Sequence, residues 1–136
     1  MKVGVKVITK EQVWQLRHQV MWPQEEFDYI KLPDDDEGIH YGLFDGKEVI
    51  SVVSLFVQGK DAQFRKLATL ADRQGEGCGS KLLTHVLNEA KRKGVKHICC
   101  NARSNKVSFY EKFGLEQTQV VFNKGGQEYV VMERFY

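Results

Sequence analysis

The order of hydrophobic patterns along the chain predicts a mixed α/β domain in which strands outnumber helices. Three observations carry that expectation. Short apolar or alternating runs of strand length recur before residue 70 and again after residue 95. Between them, Ser80 to Lys93 shows an amphipathic pattern of helical period, so the centre of the chain reads strand, helix, strand, helix. Directly before that helix stand three alternate glycines, Gly75, Gly77 and Gly79. Without a Cβ atom the backbone there can turn sharply and bring its N–H groups close to a ligand.

Each element follows from its own stretch of chain. Val3 to Ile8 alternates with lysines and glycine and reads as a first strand. Thr9, with Gln12 three residues later, forms a capping box that opens a helix. Val13, Leu16 and Val20 share one face of that helix, and Trp22-Pro23 ends it. Irregular, acidic sequence fills Gln24 to Glu37. Ile39 to Phe44 and Glu48 to Val57 flank an Asp45-Gly46 turn, a strong short-range hairpin signal. A strand from Ala62 to Leu70 leads into the glycine loop. The helix from Ser80 to Lys93 buries Leu82, Leu83, Val86, Leu87 and Ala90, and Gly94 caps it. Val95 to Asn101 reads as a buried strand, and Ser104 to Phe113 as a short helix capped by Gly114. Gln117 to Phe122 and Tyr129 to Phe135 close the chain as two strands about a Gly125-Gly126 turn. No internal repeat or interdomain linker is visible, and residues 1–136 are read as one domain.

Composition narrows the function classes. A chain of 136 residues buries a core without disulfide or metal staples, and 42% hydrophobic with 28% charged residues describes an ordinary globular protein. The net charge of +2 gives no support for nucleic-acid binding. The densest basic cluster, Lys91-Arg92-Lys93, falls in the last turn of a helix, where cations suit the negative dipole end. No apolar run has membrane-spanning length and the N-terminus lacks a signal-peptide pattern, which predicts a cytoplasmic protein with no membrane partner. The three cysteines are an odd number, as expected where thiols stay reduced. Cys99 and Cys100 are adjacent in a strand and point to opposite faces, so they form neither a zinc site nor a redox pair. Asp34-Asp35-Asp36-Glu37 lacks calcium-loop spacing, because Gly38 stands where the third ligand belongs. It reads as a solvated acidic loop or as an attractor for a cationic amine, and no metal is expected.

A glycine loop opening a helix is suited to phosphates, because the helix adds unpaired N–H groups and the positive end of its dipole. Two familiar patterns fail on spacing. A P-loop needs Gly-Lys-Ser/Thr, whereas Gly79 is followed by Ser80 and then Lys81. A dinucleotide fingerprint needs its third glycine at position 80, which is Ser80. Gln74-Gly75-Glu76-Gly77-Cys78-Gly79 does fit Gln/Arg-x-x-Gly-x-Gly/Ala, and so resembles the pyrophosphate-binding signature of the GNAT N-acetyltransferases, which use acetyl-coenzyme A (acetyl-CoA). A second segment, Asn105-Lys106-Val107-Ser108-Phe109-Tyr110-Glu111-Lys112-Phe113-Gly114-Leu115, is similar to that family's Asn-x-x-Ala-x-x-Phe-Tyr-x-x-x-Gly-Phe. It has one position fewer between Asn105 and the aromatic pair. The resemblance covers about half the chain closely and the rest in element order, in the manner of small uncharacterised bacterial members. It implies the GNAT fold: a mixed, mostly antiparallel central sheet flanked by helices.

The resemblance further implies a binding mode and a reaction. Main-chain groups of Leu67, Ala68 and Thr69 would pair with the pantetheine arm of acetyl-CoA as if it were another strand. Amides of Gln74, Gly75, Glu76, Gly77, Cys78, Gly79 and Ser80 would hold the pyrophosphate, with Lys81 adding a phosphate contact and Asn105 a bond to pantetheine. Tyr110 stands where the family places its general acid, a phenol of reference pKa about 10 that can protonate the departing thiolate. The acceptor is expected to be a primary amine on a small molecule, peptide or protein, with Arg17, Trp22 and His40 on its side of the cleft. Arg17 either binds a substrate anion or pairs with a nearby acid. The general base stays open between His40 and a water chain to backbone carbonyls, because Phe64 to Thr69 carries no carboxylate. That absence also keeps a second reading, a catalytically idle acyl-CoA-binding sensor. Glu76 is expected to face solvent, and Cys78 to pack as a small hydrophobe or serve as a low-pKa nucleophile. The resemblance also implies a homodimer, often joined through the terminal strands, and Tyr129 to Tyr136 reads equally as such a pairing surface or as the protein's own edge strand.

Overall fold

The computed structural model describes residues 3–136. Its seven strands are β1 (Val3–Ile8), β2 (Ile39–Asp45), β3 (Glu48–Gln58), β4 (Asp61–Thr69), β5 (His97–Arg103), β6 (Glu116–Lys124) and β7 (Gln127–Phe135). They form one sheet in the order β1-β2-β3-β4-β5-β7-β6. Every neighbouring pair is antiparallel except β4 with β5. Helices α1 (Lys10–Val20), α2 (Cys78–Arg92) and α3 (Val107–Glu111) complete the fold.

The two longer helices cover opposite faces. Adjacent residues of a strand point to opposite sides, and Val52 packs with Val13 and Leu16 of α1 while Val53 packs with Leu82, Leu83 and Val86 of α2. The larger core lies under α2. The capping box of α1 is formed in both directions: Gln12 N–H donates to Thr9 Oγ1 at 3.2 Å, and Thr9 N–H donates to Gln12 Oε1 at 3.0 Å.

Several elements differ from their sequence expectations. The β2–β3 turn is centred on Gly46-Lys47, because Asp45 still pairs with Glu48; Gly46 takes the left-handed φ of 61° that this position needs. Helix α2 starts two residues early, at Cys78, with Gly77 at φ 81° as its N-cap. The stretch expected as one helix from Ser104 to Phe113 is a 3-10 turn over Ser104–Lys106 followed by five α-helical residues, separated by Lys106 at φ −114° and ψ 6°. The terminal strand β7 lies between β5 and β6. It is therefore neither an edge nor free to pair with a neighbouring molecule; the edges are β1 and β6.

Candidate active site

The parallel pairing of β4 with β5 extends over three positions, Asp61 with His97, Ala62 with Ile98 and Gln63 with Cys99. Beyond them both strands continue without pairing, and a wedge opens between residues 64–69 of β4 and 100–103 of β5. The closed end is pinned by His97, whose Nε2 lies 2.8 Å from Glu133 Oε1 of β7 and whose Nδ1 lies 3.0 Å from Asp61 Oδ1 of β4. On the other side of β4 the ladder with β3 slips: Ser54 faces Arg65 and Val52 faces Ala68, so Lys66 and Leu67 together oppose Val53. This is a β-bulge, which frees main-chain groups from the ladder and re-aims side chains. Lys66 within it has φ 59°, the sole non-glycine residue with positive φ among those described. Buried Ser51 braces the far end of β4 by donating to Ala68 O at 3.0 Å and bonding Thr69 Oγ1 at 2.9 Å.

The wedge runs into the glycine loop. Gly75 at φ 83° and Gly77 at φ 81° both need glycine for their backbone conformation, and a Cβ on either would meet nothing within 4 Å. The space beside them is open to a ligand. Lys81 N–H is the first amide of α2 to close on the preceding turn, at 3.1 Å from Gly77 O, so those of Cys78, Gly79 and Ser80 precede the intrahelical ladder. Gly79 tucks against Leu67, Phe109 and Thr69, its virtual Cβ 3.8–4.0 Å from their side chains. Gln74 donates from Nε2 to Thr69 O at 3.1 Å, and exposed Glu76 pairs with Arg73 at 3.0 Å. Cys78 is buried, with Sγ 3.7 Å from Arg73 O, and presents no exposed thiol. Lys81 and Asn105 are exposed.

Tyr110 bridges the wedge. Its ring lies 5.9 Å from Phe64 of β4 and 5.1 Å from Phe109. Among the described residues its hydroxyl has no hydrogen-bond partner. Burial raises the phenol's pKa well above its ordinary value, Cys100 of β5 raises it further, and the charge of Arg103 at the end of β5 opposes the shift. The phenol is therefore held in its protonated form more firmly than an exposed tyrosine.

On the α1 face, Arg17 and His40 belong to one buried network. Arg17 is fully buried and Asp35 is 3% exposed. The guanidinium donates to Asp35 Oδ2 at 2.8 Å and Oδ1 at 3.1 Å, to Ser54 Oγ at 2.8 Å and to Ile30 O at 3.2 Å. Its Nε alone lacks a partner. Asp35 also accepts from Trp14 Nε1 and from Leu32 N–H, each at 2.8 Å. Burial pushes its carboxyl pKa upward, but the bonds from Arg17, Trp14 and Leu32 outweigh that and hold it below the usual carboxylate value. His40 closes the network, with Nδ1 2.7 Å from Ser54 Oγ and Nε2 2.9 Å from Asp35 O. A carbonyl can only accept, so Nε2 carries the hydrogen, and in a neutral ring Ser54 donates to Nδ1. The nearby acid, and not an exposed cleft, occupies Arg17. The solvated-loop expectation is corrected as well: Asp35 is buried, Asp34 pairs with Arg65 at 3.2 Å and Asp36 pairs with Lys10.

A profile of the acetyltransferase (GNAT) domain matches residues 5–135. The chain belongs to the GNAT acetyltransferase family. It is similar to the uncharacterized N-acetyltransferase YitI of Bacillus subtilis (strain 168), at 27% identity over 131 residues that cover 90% of this chain and 88% of that protein. The ribosomal-protein-S18-alanine N-acetyltransferase of Escherichia coli shares the fold at a TM-score of 0.80 and 14% identity, over 98% of this chain and 94% of that one. A GNAT family acetyltransferase of Elizabethkingia anophelis, solved with acetyl-CoA bound, does so at 0.76 and 17% identity, over 98% of each chain.

Around the GNAT wedge the structure gathers Leu67, Ala68, Thr69, the Gln74–Lys81 segment and Tyr110. It leaves His40 and Arg17 inside the protein, with no polar atom of either facing an open space. Of the residues expected beside the acceptor, Trp22 is partly exposed, and it meets one that pattern reading passed over: Lys66 Nζ lies 4.7 Å from the Trp22 ring centroid. The available signal for Lys66 was a charge on the parity of Ala62, Phe64 and Ala68, the buried side of an alternating strand. Its left-handed backbone had none. Among the described residues no group of three or more His, Cys, Asp or Glu is placed to hold a metal, and no helix is long and apolar enough to cross a membrane.

Proposed function

We propose that this GNAT protein transfers the acetyl group of acetyl-CoA to a primary amine. The observation that carries this reading is the opening between β4 and β5, which runs from Tyr110 at one end to the α2 N-terminus at the other. The residues present suit the cosubstrate: open space beside Gly75 and Gly77, amides ahead of the α2 ladder, and an unpaired strand flank at Leu67–Thr69. In this reading the loop amides hold the pyrophosphate, Leu67, Ala68 and Thr69 align the pantetheine arm, and Lys81 and Asn105 contact the phosphates and the arm. Acetyl-CoA supplies a thioester that a neutral amine attacks and a thiolate that departs. Tyr110 holds its proton ready for that sulfur, and the main-chain groups freed by the Lys66–Leu67 bulge offer a donor where charge develops on the carbonyl oxygen. His40 is engaged on both nitrogens, so the amine sheds its proton to water and the rate climbs with pH toward the amine's own pKa. Three unpaired cysteines favour a reducing compartment, the cytoplasm.

The same engaged His40 favours one rival, a GNAT-fold module that binds acyl-CoA without turnover. Calorimetry with acetyl-CoA on wild type and Gly77→Glu, followed by turnover on a broad amine panel, separates the possibilities. A glutamate at a left-handed position beside the phosphates is expected to abolish binding that the wild type shows. Binding without turnover of any amine favours the sensor. No binding by folded wild type sinks both.

A further inference from the structure

Facing Trp22, the wedge holds an ammonium without a matching acid. The Lys66 ammonium lies over the Trp22 ring, and Trp22 meets Tyr29 edge-on at 5.5 Å between centroids. Among the described residues no carboxylate comes within ion-pair distance of Lys66. Burial and then the charges of Lys124, Arg17, Arg65 and Arg103 push its pKa down to about 8. Two of these cations are already matched, Arg17 by Asp35 and Arg65 by Asp34. Arg103 and Lys124 have no such partner among the described residues.

A second observation is conformational. Lys66 stands in the bulge at φ 59°, where glycine would be unstrained. Backbone strain of this kind persists where the surroundings enforce it, and it concentrates at ligand clamps. Here it carries a long cationic side chain whose ammonium lies over Trp22, one residue before the segment assigned to pantetheine. A partly buried cation with cationic neighbours is an electrostatic deficit that an anion fills.

From this juxtaposition we infer that the acceptor amine carries its own anionic group, a carboxylate or phosphate, held by Lys66 while Trp22 packs against its apolar part. The inference rests on the acetyl-transfer reading and names its substrate class. The acidic run Asp34 to Asp36, which would have suited a polycationic acceptor, is spent on Arg65, Arg17 and Lys10.

The test compares matched amines at saturating acetyl-CoA: α-amino acids against their amides, and O-phosphoethanolamine against ethanolamine. In parallel, tryptophan fluorescence follows binding of the N-acetylated acids and amides, which needs no turnover. Wild type is expected to favour the anionic member of a pair by about tenfold or more in kcat/KM, chiefly through KM, as one charge-assisted contact supplies. Lys66→Met is expected to lose that preference with acetyl-CoA affinity unchanged, and Lys66→Arg to keep most of it. The favoured pair tells carboxylate from phosphate. Equal handling of acid and amide, or a preference that survives Lys66→Met, overturns the anionic subsite while leaving acetyl transfer standing. If no amine reacts yet wild type alone binds the acids more tightly, the subsite stands and the transferase reading falls. Failure of every anion to bind overturns the inference.

Discussion

At Lys66 two unfavourable terms meet in one residue: a left-handed backbone on a side chain with a Cβ, and an ammonium partly withdrawn from water. They can be separated. Gly and Ala both remove the charge, but only Gly relaxes φ 59°. Lys66→Gly is therefore expected to be more stable than Lys66→Ala by about 1 kcal/mol in denaturant melts; equal stabilities would mean that the bulge is unstrained. The charge term has a definite sign. With the folded pKa pushed down to about 8 from 10.5, the unfolded chain holds more protons between those values, so this group makes stability rise with pH across that window. Tyr110 is a chemical residue in a packing position. Tyr110→Phe keeps the ring against Phe64 and Phe109 and removes the proton. Turnover is expected to fall by roughly a hundredfold or more with acetyl-CoA affinity retained, as for loss of a general acid. A variant with full activity would remove Tyr110 from the mechanism.

Among the elements, the long connection between α1 and β2 is fastened by a single buried carboxylate. Asp35 holds Arg17, Trp14 and the Leu32 amide at once, and its own carbonyl receives His40. Asp35→Ala strands a fully buried guanidinium, and a loss of about 3–5 kcal/mol is expected in chemical denaturation. Because the folded Asp35 pKa is depressed, its contribution is present above the ordinary carboxylate pKa and is lost as pH falls through the folded value. The β4–β5 junction responds in the opposite direction. Glu133 raises the His97 pKa most, burial opposes the shift, and Asp61 adds to it. A raised histidine contributes fully below its reference value of 6.5 and loses that contribution as pH climbs through the folded value. Amide exchange at Ala62, Gln63, Ile98 and Cys99, corrected for intrinsic rates, is expected to speed up above that point in wild type. His97→Ala should lack the transition; an unchanged profile in that variant would mean that another group controls the junction.

For the molecule as a whole, what pattern reading could see was local. Strands, the α1 capping box, the α2 stripe and the Gly75-Gly77-Gly79 loop are written in residues a few positions apart, and all appear where expected within a few residues. The sheet order was not readable that way, since the insertion of β7 between β5 and β6 depends on pairings such as Ile98 with Arg134. The same distance hid the acceptor side. Arg17 meets Asp35 18 positions away, so a substrate contact and an internal ion pair looked alike in sequence. Lys66 became legible once the register against Val53 put it in a bulge.

The interior position of β7 also bears on how the chain is made. Strands β1 to β4 form a meander whose members can pair as they leave the ribosome. β5 emerges with only its three parallel pairs to β4 within reach, and its antiparallel partner follows after α3 and β6. At roughly 5–20 residues per second, that leaves an open strand flank exposed for on the order of seconds. Completion of the sheet is a late event in synthesis, with the β5 flank waiting for β7.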